Sequence, residues 1–204
     1  MLQILFLKGF AFGFVLAATV GPMWVLCFRR TIEQGAIAGF VSGMGIAVAD
    51  GIYGAVAAFS LTAISGFLLA QSFWLGLAGG IFLLYLGIQC LIANPVPPQE
   101  KLQERISLAR AFLSTLGLTL ANPPTILAFV AIFAGLGLVS SDYGTAALVV
   151  LGVFLGSASW WIFLAAGANW LRGRAGPKLF RAINLVSGLS ILGFAIWQLD
   201  AVLR

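Results

Sequence analysis

Histidine is absent from this chain, and so is any Cys-x-x-Cys pair. The first absence removes imidazole metal ligation, haem ligation and Ser–His catalysis. The second argues against a thiol-redox conduit. Cys27 and Cys90 stand far apart in sequence and read as small apolar filler. Charge is scarce as well: 8% of the 204 residues are charged, against about 25% in a soluble domain. Hydrophobic residues make up 61% of the chain, and mean hydropathy is +1.08. These values describe an integral membrane protein with no room for a soluble domain. The net charge of +5 implies no nucleic-acid partner, because basic residues in short loops are what membrane topology requires. No cofactor and no resident metal are expected.

What is abundant is apolar sequence in long runs. About 20 apolar residues cross a bilayer, and six segments qualify: Gly9–Phe28, Gly35–Ser65, Gly66–Ala93, Ala111–Val139, Thr145–Asn169 and Ala182–Leu199. Lys8 followed by an apolar stretch imitates a signal peptide. Five further spans follow, so the stretch is read as the first helix. Residues 1–93 then hold spans one to three and residues 111–204 spans four to six. Residues 94–110, "NPVPPQEKLQERISLAR", form a cytoplasmic linker. Nine of the eleven Lys and Arg fall in the connections after spans one, three and five, the first of these carrying Arg29 and Arg30. The positive-inside rule then puts both termini outside.

Two spans carry a defect. Gly21-Pro22 interrupts span one, and Asn122-Pro123-Pro124 interrupts span four. A proline has no N–H for the carbonyl four residues earlier. The carbonyls so freed are those of Ala18, Thr119 and Leu120, and in hydrocarbon each unsatisfied group costs several kcal/mol. The breaks recur at matching places: Phe10 precedes Pro22 much as Phe112 precedes Pro123. The third spans also correspond, "GGIFLLYLGIQ" (Gly79–Gln89) resembling "SGLSILGFAIWQ" (Ser187–Gln198). The expected architecture is all-α, with six transmembrane helices arranged as two three-helix repeats. Because three is odd, tandem units have opposite orientation. Inverted repeats with broken helices mark secondary transporters, whose freed backbone lines a cavity.

Asp50 is the one acidic residue deep in any span. A carboxylate there costs about 2.5–3.5 kcal/mol on insertion scales, which suits a proton carrier or a counter-charge for an ammonium group. Gly35, Gly39, Gly43, Ala47, Gly51 and Ala55 recur every fourth residue, as do Gly9, Gly13, Ala17 and Gly21. Close helix packing is the first reading of both stripes and a homodimer seam the alternative. Thr115, Thr119 and Asn122 form one polar face on span four, expected to meet the cavity. Gln89 and Gln198 read as interfacial.

The chain resembles the LysE/RhtB family of amino-acid exporters. The likeness rests on "VGPMWVLCFRRTIEQGAIAGF", "GMGIAVADGIYGAVAAF", "GGIFLLYLGIQ" and "LANPPTILAF", four elements in order over most of the chain. It implies a proton-driven exporter of amino acids or related small molecules in the bacterial inner membrane, and no enzyme. Members often have Pro-Gly-Pro in span one and Asn-Pro-Lys in span four; Val20 and Pro124 stand there instead. Exporters of lysine or arginine often carry Gly-Pro-Gln-Asn where this chain has Gly-Pro-Met-Trp, so a basic substrate is not expected.

The expected substrate site joins Gly21, Pro22, Met23 and Trp24 with Thr119, Asn122 and Pro123. The N–H groups of Met23, Trp24 and Val25 would hold a carboxylate. Asp50 would meet the substrate ammonium or carry the exchanged proton. Rocking of one three-helix unit against the other would give alternating access. A divalent-metal exporter of the same superfamily is the alternative. One deep acid and no histidine leave an intramembrane protease without its machinery.

Overall fold

A helix tolerates proline at its first position, where the missing N–H has no acceptor in any case. Pro22 takes that place. In the computed structural model, which describes residues 2–59, 71–92, 106–122, 125, 129, 133, 142–172 and 177–203, α1 (Leu2–Ala18) ends before it and α2 (Pro22–Gln34) begins on it. The two helices meet at 73°. Gly35 then joins α2 to α3 (Ala36–Ala58) in a single residue. Its φ of 100° lies in the left-handed region open to glycine.

The chain continues as α4 (Ser72–Ile92), α5 (Leu108–Leu120), α6 (Tyr143–Arg172) and α7 (Pro177–Leu203). The Ser107 hydroxyl caps α5 by accepting the Arg110 N–H at 3.2 Å. Asp142 caps α6, accepting the Thr145 hydroxyl at 2.6 Å and its N–H at 2.8 Å. Those two bonds hold the Asp142 carboxyl below the usual carboxylate range. No strand occurs among the described residues.

Helix α3, helix α6 and residues 181–203 of α7 are each long and apolar enough to cross a membrane, and α1 with α2 qualifies as a bent pair. Residues Gly76–Ile92 of α4 and the whole of α5 are shorter apolar helices. The fold is that of an all-α multi-pass membrane protein. The sequence boundaries shift in one instructive place. Span one starts at Leu2, ahead of Gly9, and its second half runs on through Arg29 and Arg30 to Gln34. The two arginines therefore stand on a helix and not in a loop. Pro123, Pro124 and most of the linker lie outside the described residues.

Packing pairs each half with the other. Helix α1 lies against α6, α3 against α5 and α6, and α4 against α7, while α2 touches α3, α6 and α7. Numbered as spans, the pairs are one with two, five and six, two with four and five, and three with six. The halves interlock, so neither packs as a body apart.

The small-residue stripes make these approaches. A Cβ on Gly9 or Gly13 would strike the Val149 or Val153 carbonyl, and one on Gly152 or Gly156 the carbonyl of Phe6 or Phe10. Glycines on both helices thus let α1 and α6 meet backbone to backbone. On α3, Gly39 abuts Thr31 and Gly43 abuts Trp161. The packing reading of the stripes holds. Gln198 corrects another expectation: it is buried, and its amide donates to the Gly76 carbonyl at 2.9 Å, tying α7 to α4. Gln89 is exposed, in keeping with an interfacial place.

Candidate functional site

Both helix breaks open on one cavity of about 170 Å³. From the first break come Leu16, Ala17, Thr19, Gly21, Pro22, Met23 and Trp24; from the second come Thr119, Asn122 and Thr125. Ile46 and Asp50 of α3 and Trp161 of α6 complete the wall. Seven of the eight residues named from sequence, Gly21, Pro22, Met23, Trp24, Asp50, Thr119 and Asn122, are therefore neighbours in space. Pro123 is outside the described residues.

The backbone explains how each break presents its residues. The Thr19 N–H turns back to the Leu16 carbonyl at 3.2 Å and closes α1. Gly21 is extended, at φ −150°, and hands the chain to Pro22 at the first position of α2. The Val25 N–H bonds the Gly21 carbonyl at 3.1 Å. It belongs to the helix ladder and cannot serve a ligand, contrary to expectation. Met23 and Trp24 carry the amides of the first turn that precede the ladder. At the second break the Thr125 N–H reaches the Asn122 carbonyl at 3.1 Å. The Asn122 backbone makes that turn, and the residue lines the cavity.

Asp50 is 2% exposed. Its partner comes from α6: the Ser157 hydroxyl donates to the carboxylate at 2.7 Å, and the Trp161 indole N–H donates to that hydroxyl at 3.2 Å. Sequence reading missed Ser157 and Trp161. Their signal is faint, a serine and a tryptophan one turn apart in the longest of the described helices. Trp161 also lines the cavity, and Trp24 stacks on Phe28 at 5.3 Å. Thr115 departs from the expected polar face. It is fully buried and donates to the Ser42 carbonyl at 2.7 Å, so it binds α5 to α3 away from the cavity wall.

Arg30 is a second buried charge that the sequence placed in a loop. Its guanidinium donates to Ser42 Oγ at 3.0 Å, the Ala111 carbonyl at 2.9 Å and Ser114 Oγ at 2.9 Å. It pins the first broken helix to α3 and α5. Arg29, on the other side of α2, pairs with Glu33 at 2.9 Å and reaches Asn184 of α7 at 3.3 Å.

The cavity wall holds one carboxylate, that of Asp50, and no base among the described residues. Between Asn122 and Asp142 the sequence contains no ionisable residue. No three His, Cys, Asp or Glu of the described residues come together in metal-binding geometry. A divalent ion would rely on one carboxylate and neutral oxygens, fewer charged ligands than hard cations favour.

A cavity between two helix breaks, walled by a lone buried acid, is transporter architecture, and the description "LysE type translocator" matches residues 14–199. The chain belongs to the LysE-type translocator family. A relative in Bacillus subtilis (strain 168), named "Putative amino acid efflux protein YcgF", is 28% identical over 200 residues, covering 95% of this chain and 94% of that protein. No solved structure matches. Membership sets the chain among multi-pass membrane transporters.

Proposed function

We propose that this protein exports small amino acids or closely related metabolites across the bacterial inner membrane by proton-coupled alternating access. The observation that carries the reading is the convergence of both helix breaks and the one deep acid on a single cavity. The efflux relative supports the same reading.

A zwitterion matches the wall. The amides of Met23 and Trp24 and the α2 dipole favour its carboxylate, by about 0.3–1 kcal/mol and up to ~2 kcal/mol when partly buried. Asp50, oriented by Ser157, takes the ammonium. The two fixed groups leave no second acid for a basic side chain and no base for an acidic one. Size agrees. The cavity of about 170 Å³ exceeds the ~150 Å³ that holds one benzene molecule, so a small amino acid such as alanine, serine or threonine fits within it.

A proton arriving from outside neutralises Asp50 and removes the partner of the ammonium, so proton binding and substrate binding exclude each other at Asp50, and proton entry drives substrate release. The interlocked halves favour motion of the α4–α7 pair against the body of α1, α3, α5 and α6, with α2 touching both. Both termini lie on the periplasmic side in this reading.

Counterflow in proteoliposomes tests it. Labelled small neutral amino acids are expected to exchange, and Asp50→Asn, which removes the partner of the ammonium, is expected to weaken that exchange and to abolish its response to a pH gradient. Full gradient-driven export by Asp50→Asn would sink the proton arm. Movement of a divalent metal with no amino-acid exchange would install the metal-exporter reading instead.

A further inference from the structure

Pro123 and Pro124 have no N–H, so the carbonyls of Thr119 and Leu120 lose the donors that a continuing helix would supply. A bare carbonyl at membrane depth is strongly unfavourable. The donor comes from a different helix. The Tyr53 hydroxyl of α3 donates to the Leu120 carbonyl at 2.6 Å and lies 3.4 Å from that of Thr119. The Asn122 N–H also reaches the Thr119 carbonyl, at 3.1 Å, so Leu120 is where the tyrosine matters most.

The hydroxyl is held in place by its ring. Tyr53 is 2% exposed, packs on Phe129 with ring centroids 5.7 Å apart and shares a core with Phe12, Phe133 and Val153. It follows Asp50 by three residues, so the two side chains lie on one face of α3. One turn of α3 therefore presents the acid to the cavity and a donor to the second break.

We infer that Tyr53 is a positioning residue of the site: its hydroxyl replaces the N–H that Pro124 lacks, and so sets Thr119 and Asn122 opposite Asp50. The donor belongs to α3 and not to the broken helix. The break keeps its open geometry only while α3 stays against it, which couples the helix bearing the acid to the opposite wall. The effect on substrate rests on the transport reading; the replacement of the N–H stands on geometry alone.

A double-mutant cycle tests it, using the full-length protein and the variants Tyr53→Phe, Pro124→Ala and both together. Pro124→Ala supplies the N–H that a continuing helix would offer to the Leu120 carbonyl. Tyr53→Phe alone is expected to lower the melting temperature in detergent by about 2–4 °C and to raise the counterflow KM about fivefold or more, with a smaller change in maximal rate. With Pro124→Ala already present, the same change is expected to leave the melting temperature unmoved. Equal losses in both backgrounds would overturn the replacement of the N–H. An unchanged KM in Tyr53→Phe would overturn the positioning role. Should Tyr53→Phe fail to fold, a double variant that folds supports the inference and one that also fails refutes it. Should the unaltered protein exchange no amino acid, the transport reading is what fails, and the melting cycle still decides whether Tyr53 serves the break.

Discussion

Asp50 owes its position to two residues of another helix. Ser157 donates to its carboxylate, and Trp161 holds Ser157 from one turn further along α6. A hydrogen bond to a charged group contributes about 1.5–3 kcal/mol, which corresponds to roughly a tenfold to hundredfold effect. Ser157→Ala is therefore expected to weaken substrate exchange by at least about tenfold while the protein still folds. Ser157→Thr, which keeps the hydroxyl, should retain most of the exchange. Counterflow on the two variants, with gel-filtration profiles as the check on folding, reads the difference. Equal loss in both would mean that α6 packing at this position, and not the hydroxyl, supports the acid.

The contact between α1 and α6 depends on having no side chain at Gly9, Gly13, Gly152 and Gly156. A Cβ at Gly13 meets the Val153 backbone, and backbone cannot swing aside as a side chain can. Gly117 of α5 is the counter-case, with nothing within 4 Å of an added Cβ. Overpacking a close contact costs about 1–3 kcal/mol or more, whereas alanine is favoured over glycine inside a helix by about 0.5–1 kcal/mol. Gly13→Val is expected to lower the melting temperature and the yield of folded protein. Gly117→Ala should match or exceed the unaltered protein. Thermal unfolding in detergent separates them, and a stable Gly13→Val would show that α1 and α6 can part without harm. At the same scale, α2 explains why Arg30 tolerates burial: oxygens from Ser42, Ala111 and Ser114 surround it. A buried guanidinium needs such partners in place of water.

Across the whole molecule, the helices of the first three spans pack mainly against those of the last three. An even number of spans returns the chain to the side on which it began. With nine of eleven basic residues in the odd-numbered connections or on the helix turns beside them, the positive-inside rule predicts that this side is the outer one. Reporters fused at either end are expected to give periplasmic signals, active alkaline phosphatase and dark green fluorescent protein. A cytoplasmic signal from both would invert the orientation, and with it the direction assigned to proton entry. Opposite signals from the two ends would remove the six-span count.

Some of this is legible in the amino-acid sequence by itself, and the reason is local chemistry. A proline lacks its N–H wherever it stands, so the breaks at Pro22 and at Pro123-Pro124 can be read from the chain. Hydrocarbon penalises a carboxylate whatever surrounds it, so Asp50 stands out. Glycine spacing on α1 and α3 announces close approaches, though not their partners. The rest depends on which distant residues meet. Arg29 and Arg30 look like loop charges because arginines usually end a span, and only the oxygens of α3 and α5 make a buried Arg30 stable. Gln198 looks interfacial in sequence, and it is the Gly76 carbonyl on α4 that lets it be buried. Ser157, Trp161 and Tyr53 are ordinary residues in apolar helices. Their significance comes from contacts between helices, since a hydroxyl matters at membrane depth only when folding sets it against a carboxylate or a carbonyl that has lost its donor.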